Sequence, residues 1–317
     1  MKQEERFKIV FMGTPEFAVP ALDTLIKGPD RILAVVSQPD RPKGRGRKLL
    51  PTPVKARALE AEIPVFQPKK VREPEFLKRL QGLEPDLIVV AAFGQILPQA
   101  LLDIPRIMPI NIHGSLLPKY RGAAPIQWAL INGEKETGIT IMRMDAGMDT
   151  GPMLLKGSLA IGEDETFGEL VVRMSELGAR LLAEALDKLA KGQLKEEVQP
   201  EEGVTYAPPI KKEQYHIDWS QPARTIHGTI RAFDPRPGAY TLYQGQRLRL
   251  YSPVIVDDKN TPEQRPGTVL DASSGAIKVS CGQGILGIRQ VQWPGKKRLD
   301  VESFLRGRKI PQGSVFE

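Results

Sequence analysis

Short apolar runs alternate with amphipathic stretches through the first half of the chain. The apolar runs predict strands at residues 7–12, 32–37, 64–67, 86–92 and 109–113, and helical spacing predicts helices at residues 16–27, 54–61, 73–81 and 123–131. A regular alternation of strand and helix is typical of a sheet whose strands run parallel. We therefore expect an α/β, Rossmann-like, mostly parallel sheet domain.

The same pattern continues toward residue 191. Residues 138–145 alternate between apolar and polar positions, which predicts a strand beside that of residues 109–113 and parallel to it, and residues 153–161 predict another. Apolar residues recur at helical spacing through residues 166–191, so a long amphipathic helix should cover the sheet. Residues 38–53 are rich in proline and glycine, which predicts a surface loop without regular structure.

The pattern changes after residue 191. Residues 192–209 are polar and contain several prolines and glycines, as linkers do. Ser220 is then suited to cap the N-terminus of a helix that ends near residue 232. Five short strands follow, at residues 239–243, 247–251, 267–271, 276–280 and 285–292. We predict a Rossmann-like domain over residues 1–191, a linker over 192–209, and a small OB-like β-barrel over 210–317.

Composition narrows the class of protein. The chain has 317 residues, of which 41% are hydrophobic and 26% charged, and it has no apolar run long enough to span a membrane. The charged N-terminus is not followed by a signal-peptide core, so we expect a cytoplasmic protein. One cysteine, Cys281, excludes an internal disulfide, and with three scattered histidines it cannot form the usual zinc clusters. We expect no metal, and a monomer.

Charge is unevenly distributed. The net charge is +7, from 45 basic and 38 acidic residues, and residues 207–317 carry all of it, with 17 basic against 10 acidic residues. Residues 38–57 hold seven basic residues and only one acid, Asp40. Two concentrations of positive charge favour a polyanionic partner that is too large for a single pocket. A dinucleotide is not expected, because Gly13 lacks the following glycines of the dinucleotide fingerprint.

Candidate chemistry lies at the end of the fifth predicted strand. Asn111 and His113 share one face of that strand, Gly114 frees the backbone after it, and Asp149 lies in a glycine-flanked loop after the next strand. A carboxylate beside an imidazole favours the protonated ring, and an amide and an imidazolium aimed at one point stabilise an oxyanion. Asp145 is a competing acid in the same loop.

No protein nucleophile is evident for this chemistry. Ser115 lacks the strained Gly-x-Ser-x-Gly elbow, and Cys281 belongs to the other predicted domain. The residues therefore favour acyl transfer by direct attack of a substrate amine.

The run Asn111-Ile-His-Gly-Ser-Leu-Leu-Pro-Lys-Tyr-Arg-Gly-Ala, with Asp149 in Met-Asp-Ala-Gly-Met-Asp-Thr-Gly, resembles the folate-dependent formyltransferases. The resemblance extends from Val10 to about Pro294 and shows no departure at the catalytic positions. It implies that Asn111, His113 and Asp149 are the catalytic set. It also implies 10-formyltetrahydrofolate as the formyl donor, bound by Ser115, Leu116, Leu117 and Pro118 and by the segment after the fourth strand, with Ala91, Phe93, Gly94, Ile96 and Leu97.

Within that family, residues 38–49 and the run Gly122-Ala-Ala-Pro-Ile-Gln resemble the members that formylate the amino group of methionyl-tRNA. This implies that the basic loop binds the tRNA acceptor end through Arg41, Lys43, Arg45, Arg47 and Lys48, with Arg45 foremost. Residues 296–298 and 306–309 are further candidates for phosphate contacts, whereas Trp219 and Trp293 are expected to pack. Two alternatives remain open: formylation of an amino-sugar nucleotide, and a non-catalytic RNA-binding protein.

Overall fold

The apolar runs of the first 160 residues form the strands of one large sheet in the computed structural model, which describes residues 6–43, 48–273 and 275–317. The described chain divides into two units. The first comprises Met1–Gly122, Gly138–Leu159 and Val171–Tyr206, and the second comprises Ala123–Thr137, Ala160–Leu170 and Ala207–Glu317. The predicted boundaries at residues 191 and 210 stay a prediction.

The strands and helices of the first 207 residues follow the predicted alternation, with a few additions. The strands are β1 (Lys8–Gly13), β2 (Arg31–Val36), β3 (Arg41–Lys43), β4 (Lys48–Leu50), β5 (Val65–Phe66), β6 (Leu87–Ala91), β7 (Met108–His113), β8 (Arg121–Gly122), β9 (Glu136–Arg143), β10 (Met153–Ala160) and β11 (Tyr206–Ala207). The helices are α1 (Val19–Lys27), α2 (Pro53–Glu60), α3 (Pro74–Gln81), α4 (Gln99–Leu102), α5 (Pro125–Ile131) and α6 (Phe167–Ala190). A short 3₁₀ turn, Glu16–Ala18, precedes α1.

The main sheet has seven strands in the order β10-β9-β7-β6-β1-β2-β5. Strand β1 pairs in parallel with β2 and β6, and β6 pairs in parallel with β7, which confirms the predicted mostly parallel α/β sheet. Strand β9 is antiparallel to β7, with His113 opposite Thr140, so the prediction of a parallel neighbour was wrong. Alternating burial is the same for either direction of a strand, and the sequence pattern therefore could not reveal it.

The sheet is stabilised by an apolar core against one of its faces. Residues of β1, β2 and β6 pack there with residues of α3, α4 and the segment that follows β6; the buried members are Val10, Met12, Val36, Val71, Phe76, Leu80, Ile88, Val90, Phe93, Leu97, Leu101 and Leu102. Full burial of one such side chain contributes about 1.5–3 kcal/mol. This rigid core fixes the carboxyl ends of β6 and β7, where the candidate chemistry lies.

The basic segment contains regular structure, contrary to prediction. Strands β3 and β4 form an antiparallel ribbon with Arg41 opposite Leu50 and Pro42 opposite Leu49. Proline lacks a backbone N–H. It is tolerated there because both strands of an isolated two-stranded ribbon are edge strands, each with one side that pairs with no other strand. Residues 44–47, which include the predicted tRNA contacts Arg45 and Arg47, lie outside the described residues.

The second unit is built on a six-stranded antiparallel sheet. Its elements in chain order are a 3₁₀ turn (Lys212–Tyr215), α7 (Ala223–Ala232), β12 (Tyr240–Tyr243), β13 (Gln246–Asp257), β14 (Val269–Asp271), β15 (Ile277–Ser280), β16 (Ile285–Gln292), β17 (Arg298–Asp300) and α8 (Val301–Gly307). The strand order is β12-β13-β16-β15-β14, with β17 also paired to β16. This sheet is a half-barrel, in agreement with the predicted fold class.

Three local predictions in this unit need correction. Strand β13 continues six residues past the predicted end at residue 251, and β17 with α8 was not predicted. Ser220 does not cap α7, because its hydroxyl donates to Asp218 Oδ1 at 2.6 Å and Pro222 holds the capping position. In the described part of the chain, no helix combines the length and apolar character that crossing a membrane requires.

His227 on α7 is a buried titratable group of the second unit. Only 4% of its surface is exposed, and its Nε2 lies 3.2 Å from Asp164 Oδ1. Burial lowers the pKa of His227, and the nearby charge of Arg231 lowers it further, while the Asp164 carboxylate partly opposes both. The unfolded chain therefore binds a proton at a higher pH than the folded protein does. Stability should fall as the pH falls through the ordinary histidine range.

We predict that replacing His227 by Gln reduces this acid sensitivity. The drop in unfolding midpoint between about pH 7.5 and about pH 5.5 should be larger for the unmodified protein than for His227→Gln. Urea unfolding at both pH values measures the difference. An equal drop in the two proteins would contradict the assignment of acid sensitivity to this ring.

Candidate functional site

Strand β7 brings two polar side chains to the carboxyl edge of the main sheet. Asn111 is partly buried and His113 is 4% exposed. Ile110 and Ile112, which alternate with them along the strand, are buried. His113 Nε2 lies 3.0 Å from the carbonyl oxygen of Tyr120. A carbonyl can only accept a hydrogen bond, so Nε2 carries the hydrogen and Nδ1 faces the other way.

Asp149 lies on the Nδ1 side of that ring. Its Oδ2 is 3.6 Å from His113 Nδ1 and accepts a hydrogen bond from Gly122 N at 2.8 Å. Its Oδ1 is 3.5 Å from Asn111 Nδ2. The structure thus brings Asn111, His113 and Asp149 together as predicted from the sequence; we call them the Asn-His-Asp site. Asp145 is exposed, and its Oδ1 instead accepts from Gly147 N and Thr150 Oγ1.

The two ring nitrogens of His113 have different neighbours: Nε2 donates to the carbonyl oxygen of Tyr120, and Nδ1 faces the carboxylate of Asp149. The contacts of Asp149 with Asn111 and His113, at 3.5 and 3.6 Å, are longer than ordinary hydrogen bonds, which leaves room for adjustment when a substrate enters.

The scaffold behind Asp149 comes from a segment that was predicted to be only a linker. Gln199 is buried, and its side-chain amide donates to the carbonyl oxygens of Asp149 and Gly151, both at 2.8 Å. Its Oε1 accepts from Arg121 Nε at 3.0 Å and Nη2 at 2.8 Å. Thr205 Oγ1 accepts from the backbone N–H of Tyr120 at 2.8 Å. Sequence reasoning missed these residues because their partners lie 48 to 85 positions away, with no local motif to mark them.

The residues predicted to bind the folate donor have different environments. Ala91, Phe93, Leu97, Ser115 and Leu117 are buried, and Ser115 Oγ donates to the carbonyl oxygen of Lys119 at 2.6 Å. Only their backbones are suited to contact a ligand. The partly or fully exposed members are Gly94, Ile96, Leu116 and Pro118.

An exposed apolar side chain and an unpaired donor lie near the turn after β6. Ile96 is 94% exposed, which is unusual for a large apolar residue. Gly94 has a φ of 89°, and a Cβ at that position would lie 4.0 Å from Gln38 Nε2. Gln38 Nε2 is buried and has no hydrogen-bond partner among the residues that the structure describes. Because buried donors are nearly always paired, this atom is suited to a polar group of a ligand.

Strands β3 and β4, which we call the basic ribbon, are preceded by Asp40, and a closed network of hydrogen bonds holds that residue. Lys55 Nζ contacts Asp40 Oδ2 at 2.6 Å and Gln67 Oε1 at 2.7 Å, while Gln67 Nε2 donates to Asp40 Oδ1 at 2.7 Å. The hydrogen bond from Lys55, with that from Gln67, lowers the pKa of Asp40. The only acid of the basic segment is therefore neutralised within the protein. Of the predicted contacts, Arg41 is exposed.

The candidate phosphate contacts of the second unit are partly engaged in internal bonds. Arg298 forms a bidentate ion pair with Asp234 and stacks over the ring of Tyr251 at 4.1 Å. Arg308 stacks on Trp293 at 3.8 Å, and Trp219 is buried with its Nε1 donating to Thr241. Lys296, Lys297 and Lys309 are exposed, and the exposed Arg306 pairs with Glu302 at 2.9 Å. An open depression of about 720 Å³ is also lined by Arg236, Arg249 and Arg298.

Cys281 is unsuited to act as a nucleophile. It is 1% exposed, and burial raises the pKa of its thiol to about 12. A thiol in that state is protonated and inaccessible near neutral pH.

We predict that iodoacetamide does not modify Cys281 in the folded protein at about pH 8 and modifies it fully in urea. Mass spectrometry of the two samples measures the labelling, and activity after native treatment serves as the control. Rapid native labelling with loss of activity would contradict a catalytic site that needs no thiol.

An α/β sheet with an amide, an imidazole and a carboxylate at its carboxyl edge is typical of a group-transfer enzyme. Residues 7–186 match the family model described as formyl transferase, and residues 209–309 match the model of the formyl transferase C-terminal domain. The chain belongs to the formyl transferase family, a family of folate-dependent one-carbon transferases, as its motifs predicted.

Curated relatives share nearly the whole chain. The methionyl-tRNA formyltransferase of Pelobacter propionicus is 53% identical over 308 residues, which are 97% of this chain and 95% of the relative. That of Citrifermentans bemidjiense is 52% identical over 309 residues, or 98% of this chain and 96% of the relative. A solved structure of WlaRD, a sugar 3N-formyl transferase, in the presence of dTDP and 5-N-formyl-THF, has a TM-score of 0.68 with 20% identity. It covers 92% of this chain and all of that chain, and it shows a common fold.

Proposed function

We propose that this protein transfers the formyl group of 10-formyltetrahydrofolate to the α-amino group of methionyl-tRNA, giving N-formylmethionyl-tRNA for translation initiation. The observation that carries the proposal is the convergence of Asn111, His113 and Asp149 at the carboxyl edge of the sheet. The identity of about 50% to methionyl-tRNA formyltransferases over nearly the whole chain supports the choice of amine. Such a substrate implies a cytoplasmic protein, and we propose that it acts as a monomer.

The proposed reaction is direct transfer between two bound substrates. The free amine attacks the formyl carbon, and negative charge develops on the formyl oxygen. The Asn111 amide donates a hydrogen bond to that oxygen, and so does the His113 Nδ1 hydrogen when it turns from Asp149. Asp149 moves a proton from the attacking amine to the leaving N10 nitrogen, so the carbon–N10 bond breaks as neutral tetrahydrofolate departs. For this, the formyl oxygen must approach the space between Asn111 and His113. The long contacts of Asp149 there favour such an adjustment.

The residues near the turn after β6 fit a folate. A pterin presents a flat apolar surface with polar edges, and the exposed Ile96 and the unpaired Gln38 Nε2 offer one partner of each kind. Gly94 leaves the space beside Gln38 open. We propose that the folate lies along this turn, with backbone groups of residues 115–118 completing its site.

The charge distribution fits a tRNA better than a small amine. An amino-sugar nucleotide requires neither a basic ribbon nor a C-terminal region with 17 basic residues. Basic side chains that neutralise phosphates release the counterions of the nucleic acid, so binding should weaken steeply with salt. We propose that Arg41, Lys43, Arg45, Arg47 and Lys48 contact the acceptor end of the tRNA.

We predict that Asp149→Asn lowers kcat/KM for formyl transfer by about 10²–10³-fold, because the variant loses the negative charge beside His113. Asp145→Asn is the matched control, since it makes the same change in the same loop but on an exposed turn. It should stay within a few-fold of the unmodified enzyme. Formylated product from 10-formyltetrahydrofolate and methionyl-tRNA is measured by mass spectrometry. A stronger loss in Asp145→Asn than in Asp149→Asn would exchange the roles of the two acids.

The acceptor is tested by offering methionyl-tRNA and an amino-sugar nucleotide in parallel with the same donor. Formylation of the sugar alone would overturn the proposed acceptor, and tRNA binding without any transfer would favour a non-catalytic RNA-binding protein.

We further predict that Arg41→Ala combined with Arg45→Ala raises KM for methionyl-tRNA by at least about tenfold and makes its salt dependence shallower, because two phosphate contacts are lost. The KM for the folate should not change. Arg72→Ala, on an exposed position elsewhere in the same unit, is the control. An unchanged salt dependence would remove the ribbon from the tRNA site.

A further inference from the structure

Gln199, in the segment after α6, binds the Asp149 loop through Nε2 and Arg121 through Oε1. Arg121 can only donate and the two carbonyl groups can only accept, so the orientation of the Gln199 amide is unique. Its Nε2 uses both hydrogens, on Asp149 O and Gly151 O, and its Oε1 receives two bonds from Arg121. All of the polar capacity of a buried side chain is therefore directed at one loop and one strand.

The loop needs such support because its backbone is strained at the proposed catalytic residue. Asp149 has a φ of 55°, in the left-handed region that side chains other than glycine rarely adopt. A residue in that region costs about 1 kcal/mol or more and persists only where surrounding contacts fix it. Gln199 bonds the carbonyl of this residue directly, so it acts on the conformation that aims the carboxylate.

The segment that carries Gln199 is itself fixed at both ends. Glu197 and Met153 exchange two backbone hydrogen bonds at 2.8 Å. At the other end, Thr205 accepts from Tyr120 N through its hydroxyl and from Arg121 N through its carbonyl. Tyr120 also has a left-handed backbone, with a φ of 61°, and its carbonyl accepts the hydrogen bond from His113 Nε2. One short segment thus holds the backbone on both sides of the His113–Asp149 pair.

We propose that Gln199 is a positioning residue for formyl transfer: it holds Asp149 at the distance from His113 and Asn111 that the reaction needs, with Arg121 fixing Gln199 in turn. This inference rests on the proposed function, and it assigns a role in the reaction to the polar segment after α6. The requirement is specific for glutamine. A glutamate would keep the bonds from Arg121 but would direct a carboxylate at two carbonyl oxygens. A leucine would leave Arg121 and the carbonyl groups of Asp149 and Gly151 without the bonds that Gln199 makes.

The test compares Gln199→Glu and Gln199→Leu with Gln193→Ala, which changes an exposed glutamine of the same segment. Both Gln199 variants should lower kcat by about 10- to 100-fold, with KM for methionyl-tRNA within about threefold of the unmodified value. Gln193→Ala should behave as the unmodified enzyme. Urea unfolding identifies any variant that has lost its fold, and the less disruptive of the two Gln199 variants is then used alone.

A double-mutant cycle with Asp149→Asn separates positioning from a general structural role. If Gln199 acts through Asp149, adding the Gln199 change to Asp149→Asn should cost less than about threefold, whereas independent effects would multiply. The pH profile of kcat/KM should also shift in Gln199→Glu, because the variant brings a second carboxylate to the Asp149 loop and changes how that loop is held.

The outcomes distinguish this inference from the proposed function. Full activity of a folded Gln199 variant, or multiplying losses in the cycle with an unshifted pH profile, would overturn the positioning role while leaving the proposed function intact. If Asp149→Asn itself keeps full activity, the proposed site fails first, and the positioning role fails with it.

Discussion

The carboxylate of Asp149 is the feature on which the rest of the site depends. Its contact with the scaffold is short, at 2.8 Å from Gly122 N, while its contacts with Asn111 and His113 are 3.5 and 3.6 Å. Asp149 can therefore adjust toward a substrate on the side of Asn111 and His113 while it keeps its hydrogen bond from Gly122 N. The same carboxylate faces Nδ1 of His113, whose opposite ring nitrogen already donates to a carbonyl. These polar groups are thus positioned in the absence of substrate, which is the condition under which electrostatic stabilisation is most effective.

This arrangement is possible because β9 is antiparallel to β7. Arg143 at the end of β9 lies opposite Ile110, so the chain must return along the sheet edge to bring Asp149 to His113. Arg143 N donates to Pro152 O, and a Cβ on Gly151 would lie only 2.0 Å from Arg143 O, so only glycine fits where the loop closes. The tight closure forces strain on Asp149, and the amide of Gln199 offsets that strain.

The sequence predicted which polar side chains meet at the sheet edge better than it predicted the framework around them. Asn111 and His113 could be paired because strand geometry places alternate residues on one face, and the glycine-flanked loop and the resemblance to formyltransferases both pointed to Asp149. The argument from parallel strands placed Asp149 near His113 for a wrong reason, since apolar alternation carries no direction. Gln199, Arg121 and Thr205 could not be found, because a buried hydrogen bond between distant segments leaves no periodic signal. Ser115 and Leu117 are conspicuous in the motif, but their side chains are buried, a distinction that only packing can reveal.

The segment of residues 38–57, which includes the basic ribbon, carries an excess of positive charge. Residues 38–57 contain one acid, Asp40, among seven bases. Lys55 and Gln67 of this part of the chain bind both carboxylate oxygens of Asp40. Of the other bases, Arg57 pairs with Asp23. The segment keeps an excess of positive charge, and the attraction of such a surface for a polyanion depends on salt far more than the chemistry at the sheet edge does. Recognition of the acceptor and transfer to it are thus separable physical problems in this fold.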